Sequence, residues 1–143
     1  MKKNQDCMYC MEDERRDNLM IEIGKLDVST VFLFKEQTYR GRCNVVYKGH
    51  VKELFHLNEQ ESASFIHDVN RVAEALDKIF EPNKINYGAY GDTLHHLHMH
   101  IVPKYEGKEN WGSTFEMNLG KTYLTDNEYN EMIKKIKTQL QID

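Results

Sequence analysis

The sequence predicts an antiparallel α+β domain, and three observations lead there. Short runs rich in β-branched and aromatic residues come first. One long run with apolar residues at helical spacing follows. Strand-like runs then return before a second amphipathic helix closes the chain. The length of 143 residues suits one domain with one core, residues 1–143.

The elements follow in chain order. "LMIEIGKL" and "STVFLFKEQ" read as adjacent strands, parted only by the turn around Asp27 and Val28. "RCNVVYKG" is a third strand. "NEQESASFIHDVNRVAEALDKIFEP" is a helix, because Phe65, Val69, Val72, Ala73, Leu76 and Phe80 recur on one face. Asn58 caps it with Glu61 three residues on, and Pro82 stops it. "KINYGAYG" and "HLHMHIVP" are a fourth and a fifth strand. In the last helix Thr125 and Glu128 form a capping box, and Tyr129, Met132, Ile133, Ile136 and Leu140 form its apolar stripe.

Composition excludes several classes. A net charge of −4 argues against a dedicated duplex nucleic-acid binder, while a local basic pocket for a phosphate is still allowed. No window approaches the roughly 18 to 20 apolar residues of a membrane span. The stretch after Lys2 and Lys3 carries no apolar run, so no secretory leader is expected. Three cysteines then suggest reduced thiols, and the protein is expected to be cytoplasmic.

The chemistry concentrates in "HHLHMHIVPKY", which holds four of the seven histidines. Side chains alternate faces along a strand, so His96, His98 and His100 are expected to share one face, with Leu97, Met99 and Ile101 on the other. A single ion bound by all three histidines would require marked bending. The outer two stand about 13 Å apart along an extended strand, and metal–nitrogen bonds are only about 2.0–2.1 Å long. Division of labour fits better, with one histidine ligating or orienting, one reacting and one touching substrate.

These residues resemble a known family. "HLHMHIV" is similar to the His-φ-His-φ-His-φ-φ signature of the histidine triad (HIT) nucleotide hydrolases and transferases. "NYGAYGDTLHHLHMHIVPKY" and "YKGHVKELFHLNEQE" resemble that family's flanking segments, and the likeness runs from Cys7 to Tyr105. It implies a HIT-like fold, with a five-stranded antiparallel sheet, a central helix and a C-terminal helix, and a homodimer. It also implies that His98 attacks the α-phosphorus of a nucleotide derivative to form a covalent phosphoramidate. Neutral imidazole suits that role at pH 7, provided its second nitrogen donates to an acceptor such as a backbone carbonyl. The resemblance implies that His100 contacts a phosphate oxygen or the leaving group, and that Asn86, Gly91, Asp92 and Thr93 hold the same phosphate.

"CMYC" gives Cys7 and Cys10 the C-x₂-C spacing of zinc sites, with no second pair to complete a set of four. A zinc-binding branch of the family, resembling diadenosine polyphosphate hydrolases and shared with galactose-1-phosphate uridylyltransferases, completes such a pair with histidines. Carried over, the implied ligands of a structural zinc are Cys7, Cys10, His50 and His96. His96 thus belongs both to the triad and to the metal set. His50 fits better than His56, His67 reads as a surface or helix-packing residue, and Cys43 reads as a small buried hydrophobe.

Three departures from the pattern stand out. Phe34 occupies the place of the acid or amide that holds the ribose hydroxyls. Lys104 follows Pro103 where arginine is usual, keeping the phosphate-directed charge without the bidentate fork. His95 precedes the triad where proline is common. The leading expectation is an enzyme acting on dinucleoside polyphosphates, nucleoside phosphoramidates or aminoacyl-adenylates. The alternatives are a non-catalytic nucleotide- or protein-binding module and a hydrolase with a catalytic zinc on the histidines.

Overall fold

Five strands form one antiparallel sheet in the order β1-β2-β3-β5-β4 in a computed structural model that describes residues 4–143. The strands are β1 (Met20–Lys25), β2 (Ser29–Phe34), β3 (Cys43–Tyr47), β4 (Lys84–Gly88) and β5 (His98–Lys104). Two short helices precede them, α1 (Met8–Met11) and α2 (Glu14–Asp17). The long helix α3 (Glu59–Phe80) links β3 to β4, and α4 (Asp126–Leu140) ends the chain. This is the five-stranded α+β architecture expected from the sequence, with α1, α2 and a 3₁₀ turn at Leu54–His56 added. Among the described residues no helix is long and apolar enough to cross a membrane.

Local chemistry accounts for the helices. Asn58 and Glu61 bond each other's backbone N–H groups at the start of α3, and Thr125 and Glu128 do the same for α4. Glu81 turns left-handed after α3, and Pro82 cannot continue it. Phe65, Val69, Val72 and Leu76 then face Tyr129, Met132, Ile136 and Leu140 across a core floored by Val31, Leu33, Val45 and Ile101. Each such side chain contributes about 1.5–3 kcal/mol when fully buried. Asp68, fully buried on α3, accepts from the N–H of Asp27 and Val28 and from the Ser29 hydroxyl at 2.6 Å. It thereby ties the β1–β2 turn to the helix.

Strand periodicity divides the sheet into two chemical faces. In β3, Val45 and Tyr47 point to the helices, while Asn44 and Val46 point away. Asn44 pairs across to His100 and Val46 to His98. The face away from the helices carries a second cluster of Cys7, Tyr9, Met20, Phe32, Phe34 and Val46, laid down by α1 with its N-cap, the β1–β2 hairpin and β3.

The last strand begins later than its sequence suggests. The ladder with β3 starts at Val46 and His98, so His96 lies in a bend before β5. There Leu97 donates its N–H to the Val51 carbonyl and accepts from Tyr47. The expectation that all three histidines share one strand face holds for His98 and His100 only. The bend turns the His96 ring toward the N-terminal cysteines.

Candidate active site and metal centre

His98 and His100 lie side by side on β5, with ring centroids 5.0 Å apart and planes nearly perpendicular. They line a cleft of about 430 Å³, walled by Phe34 on one side and by Gly91, Asp92 and Thr93 on another. Tyr9, Met20, Tyr90 and the irregular segment around Met117, Asn118 and Tyr123 complete it. Gly91 has φ +122°, and a Cβ there would stand 2.4 Å from the Leu94 carbonyl oxygen. Glycine is therefore required for the chain to turn this close to His98.

The hydrogen bonds assign tautomers. His98 places Nδ1 2.6 Å from the His96 carbonyl, so Nδ1 carries the proton and donates, and Nε2 keeps its lone pair. Burial lowers the His98 pKa from its ordinary value, against the pull of that same carbonyl, so the ring is neutral at pH 7. Burial also drives His100 down to about 3, helped by the neighbouring His98 and by the Arg42 charge. The site is thus lined with neutral imidazoles.

The structure brings most of the sequence-predicted residues to this cleft and leaves three outside it, Asn86, Lys104 and His96. Phe34, Gly91, Asp92, Thr93, His98 and His100 line it. Asn86 sits on β4 opposite Val102 and shares a separate shallow groove with Thr114 and Phe115. Lys104 is buried, and its ammonium donates to the carbonyls of Asn110 at 2.6 Å and Ser113 at 2.5 Å. Its charge is spent on holding the loop after β5, because β5 carries it past the cleft.

His96 belongs to a second constellation. Ligand atoms of Cys7, Cys10, His50 and His96 all lie within 4.8 Å of one another. Cys7 Sγ is 3.3 Å from His96 Nδ1, Cys10 Sγ is 3.3 Å from His50 Nδ1, and Cys10 Sγ is 3.5 Å from His96 Nδ1. Sulfur and nitrogen ligands on one tetrahedral zinc stand about 3.6 Å apart, given bonds of about 2.3 and 2.05 Å. His96 turns its other nitrogen to the Tyr47 carbonyl at 2.7 Å, so Nε2 donates and Nδ1 faces the thiols. The four residues therefore fit a tetrahedral metal ion. His56 instead closes the cap of the 3₁₀ turn, and His67 is exposed on α3. Cys43 is fully buried, which pushes its thiol pKa up.

Tyr9 connects the two centres. It lies in α1 between the cysteines, its ring 5.4 Å from that of His96 and 5.5 Å from that of His98. Its hydroxyl accepts from Asn44 Nδ2 at 2.7 Å. The sequence reading missed Tyr9, Asn44, Tyr90 and Arg42. Its place inside "CMYC" was the one available signal for Tyr9. Arg42 offered none, since a charged residue at a strand start reads as surface.

Comparison with known proteins places this geometry in a family. The model of the HIT domain matches residues 16–107. A protein named hit from Bacillus subtilis is 28% identical over 90 residues, 59% of this chain and 62% of that protein. An AP-4-A phosphorylase of Mycobacterium tuberculosis is 28% identical over 101 residues, 66% of this chain and 51% of that enzyme. The chain thus spans less than two thirds of the length of either. Among solved structures, a histidine triad protein of Sinorhizobium meliloti superposes with a TM-score of 0.80 at 28% identity, covering 89% of this chain and 94% of its own. A zinc-bound histidine triad family protein of Mycobacterium smegmatis shares the fold at TM-score 0.65 and 20% identity, covering 94% and 93%. The matched span takes in all three triad histidines and well over half of the chain, and on that ground the chain belongs to the histidine triad (HIT) family.

Proposed function

We propose that this chain is a nucleotide hydrolase or nucleotidyl transferase in which His98 attacks the α-phosphorus of a nucleotide derivative. The observation that carries this reading is the His98–His96 hydrogen bond, which reserves the Nε2 lone pair for a ring that lines the cleft. In the first step Nε2 forms a bond to phosphorus, the leaving oxygen or nitrogen departs with the electron pair of its bond, and a leaving nitrogen takes up a proton from solvent. The Nδ1 proton stays on the ring, and the His96 carbonyl stabilises the positive charge that develops there. Water or another acceptor then attacks phosphorus. The phosphorus–nitrogen pair returns to Nε2, and the acceptor's proton passes to solvent.

The supporting cast follows from the same geometry. The Gly91–Thr93 turn offers backbone and hydroxyl groups to the nonbridging oxygens, and His100 offers a ring N–H. Dinucleoside polyphosphates, nucleoside phosphoramidates and aminoacyl-adenylates all present such a phosphorus. The similarity to an AP-4-A phosphorylase supports the first class. The metal is read as a structural zinc on Cys7, Cys10, His50 and His96, because a set of four protein ligands leaves no open position for chemistry.

The test is a turnover screen with diadenosine tetraphosphate, adenosine 5′-phosphoramidate and their guanosine counterparts, beside His98→Ala. Quenched wild type should carry an acid-labile, base-stable nucleotidyl adduct on His98. The variant should fold and lose at least about 10³-fold in kcat. Near wild-type turnover by His98→Ala would remove the mechanism, and nucleotide binding without turnover would make the chain a binding module.

A further inference from the structure

Arg42 lies behind the cleft wall, against the lining residues Phe34, His100 and Met117. It is 1% exposed, yet none of its hydrogen-bond partners among the described residues is a carboxylate. Nη1 donates to the Met117 carbonyl at 2.9 Å, and Nη2 faces Met117 Sδ at 3.0 Å. Nη2 also stands 3.4 Å from His100 Nδ1, while Nε has no partner. The Glu36 carboxylate acts on the guanidinium only through longer-range attraction. In place of an anion it has rings: Phe34 lies 4.1 Å and Phe115 5.2 Å from Cζ. Aromatic faces compensate only part of the cost of burying a cation. A residue placed purely to latch the Met117 loop would not need a charge.

The contact with His100 gives that charge a use. Guanidinium has only donors, so the ring nitrogen it faces must accept. His100 Nδ1 is then bare, and the single proton of the neutral ring sits on Nε2. His98, its ring centroid 5.0 Å away on the same strand face, is held in the opposite form by the His96 carbonyl. We infer that Arg42 is a positioning residue that fixes His100 as its Nε2–H tautomer, so that the two neighbouring histidines present one lone pair and one N–H donor to the same phosphate. Phe34 completes the device. It stacks on His100 at 5.4 Å and 25° while covering the guanidinium, so the position that lacks a ribose-binding acid shields a cation instead. An acid there would neutralise Arg42.

The consequence for substrate rests on the proposed nucleotidyl transfer. The bare Nε2 of His98 attacks phosphorus while the N–H of His100 bonds an oxygen on it. The charge behind His100, which no carboxylate contacts directly, favours the added negative charge of the transition state.

The direct test is the protonation state of each ring nitrogen, read by long-range ¹⁵N–¹H correlation on labelled full-length protein. His100 should show a protonated Nε2 and a bare Nδ1 between pH 6 and 8, and His98 the reverse. Arg42→Gln keeps a donor without charge, whereas Arg42→Met keeps neither. The Gln variant should hold the His100 tautomer and lose about tenfold in kcat with adenosine 5′-phosphoramidate, a loss of one charge-assisted interaction. The Met variant should mix the tautomers and lose about 100-fold in kcat with little change in KM. A wild-type His100 that carries its proton on Nδ1 overturns the inference, even if neither variant folds. So does a Met variant with one tautomer and unchanged kcat. Absence of turnover by a wild type with the expected tautomers would defeat the nucleotidyl-transfer reading and leave the role of Arg42 standing.

Discussion

At the scale of single residues, burial decides which histidine form is present. His100 ionises near its ordinary value of about 6.5 when unfolded, and at about 3 when folded. Between those values the unfolded chain binds a proton that the native chain does not. Stability therefore falls as pH drops below about 6.5, by about 1.4 kcal/mol per pH unit, and the effect is absent above it. The stability difference between wild type and His100→Gln should thus shift by about 2 kcal/mol against wild type from pH 7 to pH 5. Urea unfolding at the two pH values measures it, and a pH-independent difference would place a charged imidazole in the fold. Phe34 gives a second prediction. Its ring makes no hydrogen bonds to a sugar, so ribo- and deoxyribonucleotide substrates should differ by less than about tenfold in kcat/KM. Phe34→Asn should raise ribose selectivity and cost about 3 kcal/mol, because Arg42 and His100 lose the ring packed on them. A strong ribose preference in the wild type would assign the hydroxyls to another residue.

At the scale of elements, the four-residue helix α1 is too short to hold itself. Its place is set by Cys7 and Cys10 at its start and by the packing of Tyr9 on His96 and His98. A metal that joins both cysteines to His50 and His96 ties three separate chain segments together. Protein purified without added metal should contain about one zinc equivalent per chain. Chelation should lower the melting temperature by several degrees and reduce turnover at 25 °C by a smaller factor, because the ion reaches His98 only indirectly, through the His96 backbone carbonyl that orients its ring. Calorimetry and assays on the same chelated sample compare the two effects. A fold unaffected by chelation would remove the structural role.

At the scale of the whole molecule, the sheet has two edges, β1 and β4. The β4 edge carries Tyr87, 49% exposed, and Tyr90 lies beyond it at 52%. Unpaired strand edges and exposed rings are commonly covered by a second copy, and two-fold dimers are the commonest assembly. Light scattering at micromolar concentration should report a homodimer of about twice the 16.9 kDa chain mass. A monomer mass would leave both edges to solvent.

The sequence by itself determined the local features. Capping boxes at Asn58 and Thr125, the stripes of α3 and α4, the β-rich runs of β2 and β3 and the alternation of β5 were legible because each depends on residues within one turn or one strand. "HLHMHIV" and "CMYC" marked the chemistry for the same reason. Only tertiary structure decided what depends on a bend or on distant partners. Strict alternation placed His96 beside His98, but Leu97 bonds Val51 and Tyr47, and the chain turns before β5 begins. Lys104 looked like a phosphate ligand until its ammonium was seen on the carbonyls of Asn110 and Ser113. Arg42 gave no signal because its meaning comes from Phe34, His100 and Met117, brought to it from three other places in the chain. Side-chain period is a property of neighbours, whereas the burial of a charge is a property of everything packed around it.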